Sequence, residues 1–165
     1  MTQDHQLSRL LTPMLRRFHV AEPTFDDQGF AMITTDDAIT IHFHAPPDSN
    51  DLNLYILLGP LPEMNRGNLV RYAMGSNWMN RRTRGAVLSV AGEDNTLILQ
   101  RNVSRTKLTP EALDGMVAAM KRVAEIWKVI FKKAEEEAEA AGMAQPKTQF
   151  DPTRLGVLIN PLQFA

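Results

Sequence analysis

The sequence predicts an α+β fold in which three helices accompany a twisted antiparallel sheet of five strands. Apolar residues recur at helical spacing near both ends of the chain, whereas short apolar or alternating segments lie between turn-forming residues in the middle. The resulting order is helix, three strands, helix, two strands, helix. Strands that follow one another favour an antiparallel sheet, and 165 residues suit one principal domain.

Apolar side chains near the amino end form one helical stripe, with Asp4 as a suitable N-cap. Pro13 lies inside this pattern and predicts a kink, or the end of a regular turn, near Thr12. The stripe contains Leu7, Leu10, Leu11, Met14, Leu15 and Phe18.

Five strands are predicted from composition and alternation, over residues 30–34, 39–43, 52–58, 86–90 and 96–101. Residues 39–43 alternate between apolar and polar, as in a half-buried strand. Residues 52–58 are almost all apolar, so we expect this strand to be covered on both faces. Residues 91–95 have the length and glycine content of a hairpin loop.

Two further helices are predicted. Residues 63–80 carry a weak stripe, and Gly67 and Gly75 lower helix propensity while allowing close approach of another helix. The last helix has Thr109 as its N-cap and Pro110 as its first helical residue. We divide the chain into an α+β domain, residues 1–142, and a carboxyl-terminal tail, residues 143–165, that is flexible or, if the chain forms a dimer, docked on it.

Composition excludes several classes of protein. The chain is 44% hydrophobic and 22% charged, with a net charge of −1 and no cysteine, which excludes disulfides and thiolate chemistry. No apolar run approaches the roughly 20 residues of a membrane helix, and the amino end lacks a signal-peptide pattern. We expect a cytoplasmic protein without membrane insertion. The near-neutral charge gives no general case for nucleic-acid binding.

The sequence contains no recognisable catalytic constellation, and we expect no metal, cofactor or enzymatic activity. His42 and His44 share one strand face, but no carboxylate lies at a matching offset for a metal site. Phosphate-binding and nucleophile motifs are missing from the sequence. Residues 81–84, Arg-Arg-Thr-Arg, lack an accompanying nucleic-acid motif, so a solvated loop or subunit ion pairs are favoured. The abundant apolar residues indicate binding rather than chemistry.

Two segments resemble a known family. Residues 54–62 read LYILLGPLP, and residues 77–90 read NWMNRRTRGAVLSV, which is similar to an Asn-aromatic, Thr-x-Gly-Ala, Leu pattern. Followed by a polar loop, Leu97-Ile98-Leu99 and a long helix, these segments resemble the class I chaperones of type III secretion, the Tir chaperone (CesT) family. The resemblance covers about residues 5–135. The near-neutral charge and the tail depart from the family pattern.

The resemblance implies a homodimer without enzymatic activity in the bacterial cytoplasm. Its partner would be a secreted effector, bound near the effector's amino end as an extended segment. The implied effector-binding residues are Leu7, Leu11, Leu15, Phe18, Ile33 and Ile41. The implied dimer-interface residues are Leu69, Tyr72, Ala73, Ser76, Val87 and Ser89.

Two other functions stay open from the residues themselves. A small enzyme or ligand-binding domain would place its site in the sheet cavity and use His42, His44 and Tyr55. A regulatory adaptor would bind a folded partner. In the tail, Leu155, Val157 and Ile159 alternate, so this segment either is disordered, pairs with a sheet edge, or occupies a neighbouring subunit's groove.

Overall fold

The computed structural model describes residues 3–63, 65–80 and 82–140. The proposed tail, residues 143–165, lies outside the described residues. The helices are α1 (Gln3–Arg17), α2 (Arg66–Asn77) and α3 (Pro110–Ala140). The strands are β1 (Phe30–Thr34), β2 (Thr40–His44), β3 (Asp51–Pro60), β4 (Val87–Ala91) and β5 (Thr96–Ser104).

The five strands form one antiparallel sheet in the order β1-β2-β3-β5-β4. This confirms the predicted α+β fold and the predicted order of elements. Because β3 pairs with β5, the strands β1 and β4 are the two edges of the sheet. Edge strands carry backbone N–H and C=O groups that face away from the sheet. Where these groups are unpaired, another strand can form hydrogen bonds with them.

One face of the sheet packs into the main core with α1 and α3. Leu52, Leu54 and Ile56 of β3 are buried in this core. Tyr55 points to the opposite face, where it forms a small separate cluster with Ile98. The apolar composition of residues 52–58 predicted a strand covered on both faces. In the structure, one face belongs to the main core and the other to the small cluster around Tyr55. On the second face, neighbouring side chains of the sheet bury Tyr55.

The helix α1 continues past Pro13 to Arg17, so Pro13 does not end it near Thr12, and the alternative of a kink there stays a prediction. Proline removes one backbone donor, but burial of the helix stripe against the core outweighs this local cost. The Thr12 hydroxyl donates a hydrogen bond to the Ser8 carbonyl, 2.8 Å away, within the same turn. Along the stripe, the core encloses Leu7, Leu10, Leu11, Met14 and Leu15.

The helix α3 begins as its sequence predicts. The Ala112 N–H donates to the Thr109 hydroxyl oxygen at 3.2 Å, which confirms the N-cap. The helix α2 is shorter than the predicted 63–80, because residues 78–80 form a 3₁₀ turn with Met79 at a φ of 53°. The core-facing stripe of α3 contains Leu113, Val117, Met120, Ala124, Trp127 and Phe131.

Candidate functional site

Side-chain and loop groups occupy the outward backbone groups of the β4 edge at Ala86 and Leu88. The Leu88 N–H donates to Asn77 Oδ1 at 2.8 Å, and Asn77 Nδ2 donates to the Leu88 carbonyl at 2.9 Å. Two residues earlier, the Ala86 N–H donates to the Thr83 carbonyl at 3.1 Å. These bonds occupy backbone groups that an added strand would need.

The turn before β4 explains the motif that suggested the family resemblance. Thr83 is completely buried, and Gly85 has a φ of +88°. A Cβ at Gly85 would lie 2.9 Å from the guanidinium of Arg101, which donates to the Arg84 carbonyl at 3.1 Å. Glycine therefore satisfies both the left-handed backbone and the close approach of Arg101. These motif residues shape the turn that precedes β4.

The predicted dimer-interface residues lie on α2 and β4, in two different environments. Leu69, Ala73 and Ser76 are buried within the single chain, and the Ser76 hydroxyl donates to the Tyr72 carbonyl. Ser89 is half-buried. By contrast, Tyr72 is 44% exposed and Val87 is 43% exposed. Only the last two present a large apolar surface to a partner, and the dimer assignment of all six stays a prediction.

Exposed apolar side chains are concentrated around α2 and β4. Besides Tyr72 and Val87, the residues Met74, Trp78, Met79 and Val90 are exposed, and Trp78 is 74% exposed. We call these six residues the α2–β4 patch. Tyr72 also lies 5.6 Å from the ring of Trp127 and 5.7 Å from the guanidinium carbon of Arg82. These exposed side chains make the α2–β4 region a candidate interaction surface, although Val87 and Val90 lie on opposite faces of β4.

Five of the six predicted effector-binding residues are buried. Their side chains belong to the main core, and Leu11 is only 1% exposed. Phe18 differs because it is half-buried, and Lys121 Nζ lies 4.5 Å from its ring centroid. The buried residues are Leu7, Leu11, Leu15, Ile33 and Ile41. They have almost no surface to offer in the single chain, and their role in effector binding stays a prediction.

The other edge strand, β1, directs every second backbone group outward. The Ala45 N–H donates to the Gly29 carbonyl and the Thr35 N–H donates to the Ile39 carbonyl, so both ends of the hairpin are hydrogen-bonded pairs. Bonded and non-bonded pairs alternate along an antiparallel ladder. The backbone groups that face away from β2 therefore belong to residues 30, 32 and 34.

Asp26 closes the β1 edge at its first outward position. The Phe30 N–H donates to Asp26 Oδ1 at 2.8 Å, and the Asp26 N–H donates to the Phe30 carbonyl at 2.9 Å. Across the described part of the chain, the outward backbone groups of Met32 and Thr34 have no hydrogen-bond partner. Met32 is also 62% exposed. We call Met32–Thr34 the open β1 edge.

A cavity lies beside this edge, where β2 and β3 separate. Their ladder ends at the pair His42↔Tyr55, whereas β1 and β2 remain paired as far as Thr34↔Thr40. The resulting cavity has a volume of about 440 Å³. Lys128 borders the cavity and donates two hydrogen bonds to the β1–β2 turn. The apolar lining comprises Met32, Ala38, Ile39, Ile56, Leu57, Leu58 and Ala124.

The three polar residues considered for an enzyme site are used in ring stacking. The His42 ring stacks on Tyr55 with centroids 4.8 Å apart, and His44 stacks on Phe30 at 4.0 Å. Burial lowers the pKa of both histidines, although the charge of Asp26 partly opposes this at His44. Burial also raises the pKa of Tyr55, as does Asp26. Within the described ranges, no group of three or more potential metal ligands is assembled.

A family model matches the chain over residues 9–128, which include more than half of α1, the whole sheet, α2 and more than half of α3. The model is that of the Tir chaperone protein (CesT) family. The chain belongs to this family. Membership confirms the resemblance found in the sequence and makes the chain a member of a chaperone family, whose role is non-enzymatic.

Solved structures share the fold of this CesT family member. The ExsC–ExsE complex matches with a TM-score of 0.63 and 18% identity, covering 78% of this chain and 95% of that one. The HopA1–SchA chaperone–effector complex matches with a TM-score of 0.59 and 19% identity, covering 78% of this chain and 98% of that one. A third match is the Yersinia pestis type III secretion chaperone SycH in complex with a fragment of YscM2. It has a TM-score of 0.57 and 13% identity, covering 73% of this chain and 98% of that one. No curated protein sequence matches this chain.

Sequence reasoning missed the features of the site that depend on strand order. Met32 attracted no attention as a residue, because only the edge position of β1 leaves its backbone groups free. Met74 and Met79 were missed because both fall outside the stripe that defined the helix.

Among the helices of the described residues, none is long and apolar enough to cross a membrane.

Proposed function

We propose that this chain is a homodimeric chaperone of type III secretion in the bacterial cytoplasm, without catalytic activity. Its partner is a secreted effector, held near its amino end as an extended segment. Family membership supports the chaperone role. The effector partner is inferred from relatives whose solved structures include a chaperone–effector complex.

The observation that carries this proposal is the open β1 edge beside the apolar cavity. Met32 and Thr34 offer backbone donors and acceptors to an added strand. An extended segment gains main-chain hydrogen bonds from such an edge and sequence preference from neighbouring pockets. The cavity walls suit aliphatic side chains. Binding of this kind keeps a segment unfolded without any catalytic group.

The α2–β4 patch supports the proposed homodimer. Its exposed apolar residues include Trp78, Tyr72 and Val87. Since Asn77 occupies the outward groups of Leu88, a second copy meets this side through side-chain packing rather than through a continuous sheet. The two functions are thereby assigned to opposite edges of the sheet.

The buried residues predicted to bind effector receive a narrower role. Leu11, Ile33 and Ile41 form the packed layer beneath the sheet and fix the position of β1 and β2. Phe18, which is half-buried, is the one predicted effector residue with accessible ring surface. We propose direct effector contact for Phe18 and a supporting role for the other five.

The test uses a backbone substitution at the open β1 edge. Met32→Pro removes an outward N–H without removing a β1–β2 hydrogen bond, and proline is tolerated on edge strands. Met32→Val is the matched control because it keeps the donor. Each variant is co-expressed with the product of the open reading frame adjacent to its own, and any complex is sized by light scattering.

We expect Met32→Pro to reduce complex formation by at least about 10-fold and Met32→Val to retain it. Equal binding by both variants, with unchanged circular dichroism, would exclude strand addition at this edge.

A purified chain that stays monomeric at micromolar concentration would exclude the dimer. A partner that resists proteolysis when alone would favour the adaptor function, because it would already be folded.

A further inference from the structure

The 25 residues that follow α3 contain a second strand-like pattern. Leu155, Val157 and Ile159 alternate with other residues, and Pro152 and Pro161 lie on either side. We call residues 154–160 the tail segment. Proline cannot donate to a ladder, so a segment enclosed by prolines suits an edge position and not the interior of a sheet. The tail segment carries one charge, on its first residue, Arg154.

The open β1 edge offers hydrogen-bond partners for the backbone of the tail segment, and the cavity beside it offers apolar surface. The edge offers unpaired backbone groups over Met32–Thr34. The cavity offers walls of aliphatic side chains, and Met32 at its border is largely exposed. An aliphatic segment of alternating pattern places its apolar side chains on one face when it pairs as a strand.

The chain is long enough to return to its own cavity. Ala124 and Lys128 of α3 line the cavity, and the helix ends at Ala140. From Lys128 to Ala140 the helix advances about 18 Å at roughly 1.5 Å per residue. The 13 residues 141–153 span at most about 43 Å when extended. This reach exceeds the return distance by about two-fold.

We propose that the tail segment lies along the open β1 edge of its own chain, with Leu155, Val157 and Ile159 on the same face of the sheet as Met32. The chain thus fills its binding edge with its own carboxyl-terminal residues. One consequence rests on the proposed function: an effector strand that uses Met32–Thr34 must first displace the tail segment. The docking itself requires no effector.

The natural lack of cysteine permits a direct test by engineered disulfides. The full-length chain carries Met32→Cys together with a second cysteine at one position from 155 to 159, in five separate variants. Neighbouring strands bring side chains on the same face within disulfide distance. After mild oxidation of the purified protein, non-reducing gels and peptide mass spectrometry measure intrachain cross-linking. Unchanged circular dichroism establishes that each variant is folded.

We expect the odd-numbered positions to cross-link at least about three-fold more than 156 and 158, which face the other way. The 156 and 158 variants are the matched controls. Equal yields at odd and even positions, cross-links between chains only, or none at all would overturn the proposal. Because the measurement contains no effector, failure of effector capture would leave its result unaffected. Added effector should lower the cross-linking yield if both proposals hold.

Discussion

The side-chain amide of Asn77 pairs with the backbone of Leu88 in both directions. It accepts from the Leu88 N–H at 2.8 Å and donates to the Leu88 carbonyl at 2.9 Å. An amide side chain offers the same donor and acceptor as a peptide unit, so Asn77 substitutes for one residue of a neighbouring strand. It fastens the end of α2 to β4 and occupies the outward backbone groups of this edge at Leu88.

Removing this amide should destabilise the fold. We expect Asn77→Ala to lower the free energy of unfolding by about 1–3 kcal/mol, because partly buried Leu88 groups lose their partners. Urea denaturation at matched protein concentration measures the change. The control is Asn68→Ala, an exposed asparagine on the same helix. A loss no larger than that of the control would show that the Asn77 bonds contribute little.

Charge introduced at each of the two sheet edges should locate the dimer interface. We expect Val87→Lys to weaken the dimer by at least about 10-fold, since it introduces a charge into the α2–β4 patch. Met32→Lys places the same charge on the opposite edge and should leave the dimer intact. Light scattering over a dilution series measures both. Dissociation caused by Met32→Lys alone would place the interface at β1.

Leu11 should behave as a core residue. Because its side chain is enclosed, Leu11→Ala is expected to cost about 2–5 kcal/mol of unfolding free energy. Ile126→Ala, at an exposed apolar position of α3, should change stability by about 0.5 kcal/mol or less. Denaturant unfolding distinguishes the two. If Leu11→Ala kept full stability but lost effector, Leu11 would contact the effector directly.

Stability should fall as the pH decreases below about 6.5, the ordinary pKa of histidine. Burial lowers the folded-state pKa of His42 and His44, with Asp26 opposing the shift at His44. The unfolded chain then binds more protons between the folded and unfolded pKa values, so acid favours unfolding. Stability due to neutral histidine is complete above this interval and is lost as pH falls through it.

Replacing His42 by phenylalanine tests this dependence. His42→Phe keeps an aromatic ring against Tyr55 but removes one titrating group, so the loss of stability between about pH 7.5 and about pH 5.5 should become smaller. Exposed His19 supplies the control substitution His19→Asn. Thermal unfolding at both pH values measures the effect. An unchanged pH dependence in His42→Phe would contradict the assignment.

Much of the fold could be predicted because local patterns and core packing agree. Residues 30–34 form β1 as predicted, and Thr109 caps α3 as predicted. Pro13 does not end α1, because the apolar stripe buried on both sides of it, which local propensity omits, holds the helix together. The weak pattern of residues 63–80 produced a shorter helix than expected.

The candidate site was less predictable, since it depends on relationships between distant elements. An apolar stripe such as that of Leu7 and Leu11 identifies a buried helix face but does not distinguish core from groove. Strand order decides which backbone groups remain open, and nothing local to Met32 encodes that order. The separation of β2 from β3 likewise arises from pairing lengths that alternation does not reveal.

The short ladder between β2 and β3 has a kinetic consequence. These strands share three residue pairs in the described structure, from His42↔Tyr55 to His44↔Asn53, whereas the β3–β5 ladder runs almost the full length of both strands. Because few backbone hydrogen bonds join it to the rest of the sheet, we expect the hairpin of β1 and β2 to open more readily than the β3–β5 ladder. Its amides should exchange with deuterium well before those of β3 and β5, through openings that leave the rest of the molecule folded. The open β1 edge would then open and close repeatedly while the rest of the molecule stays folded.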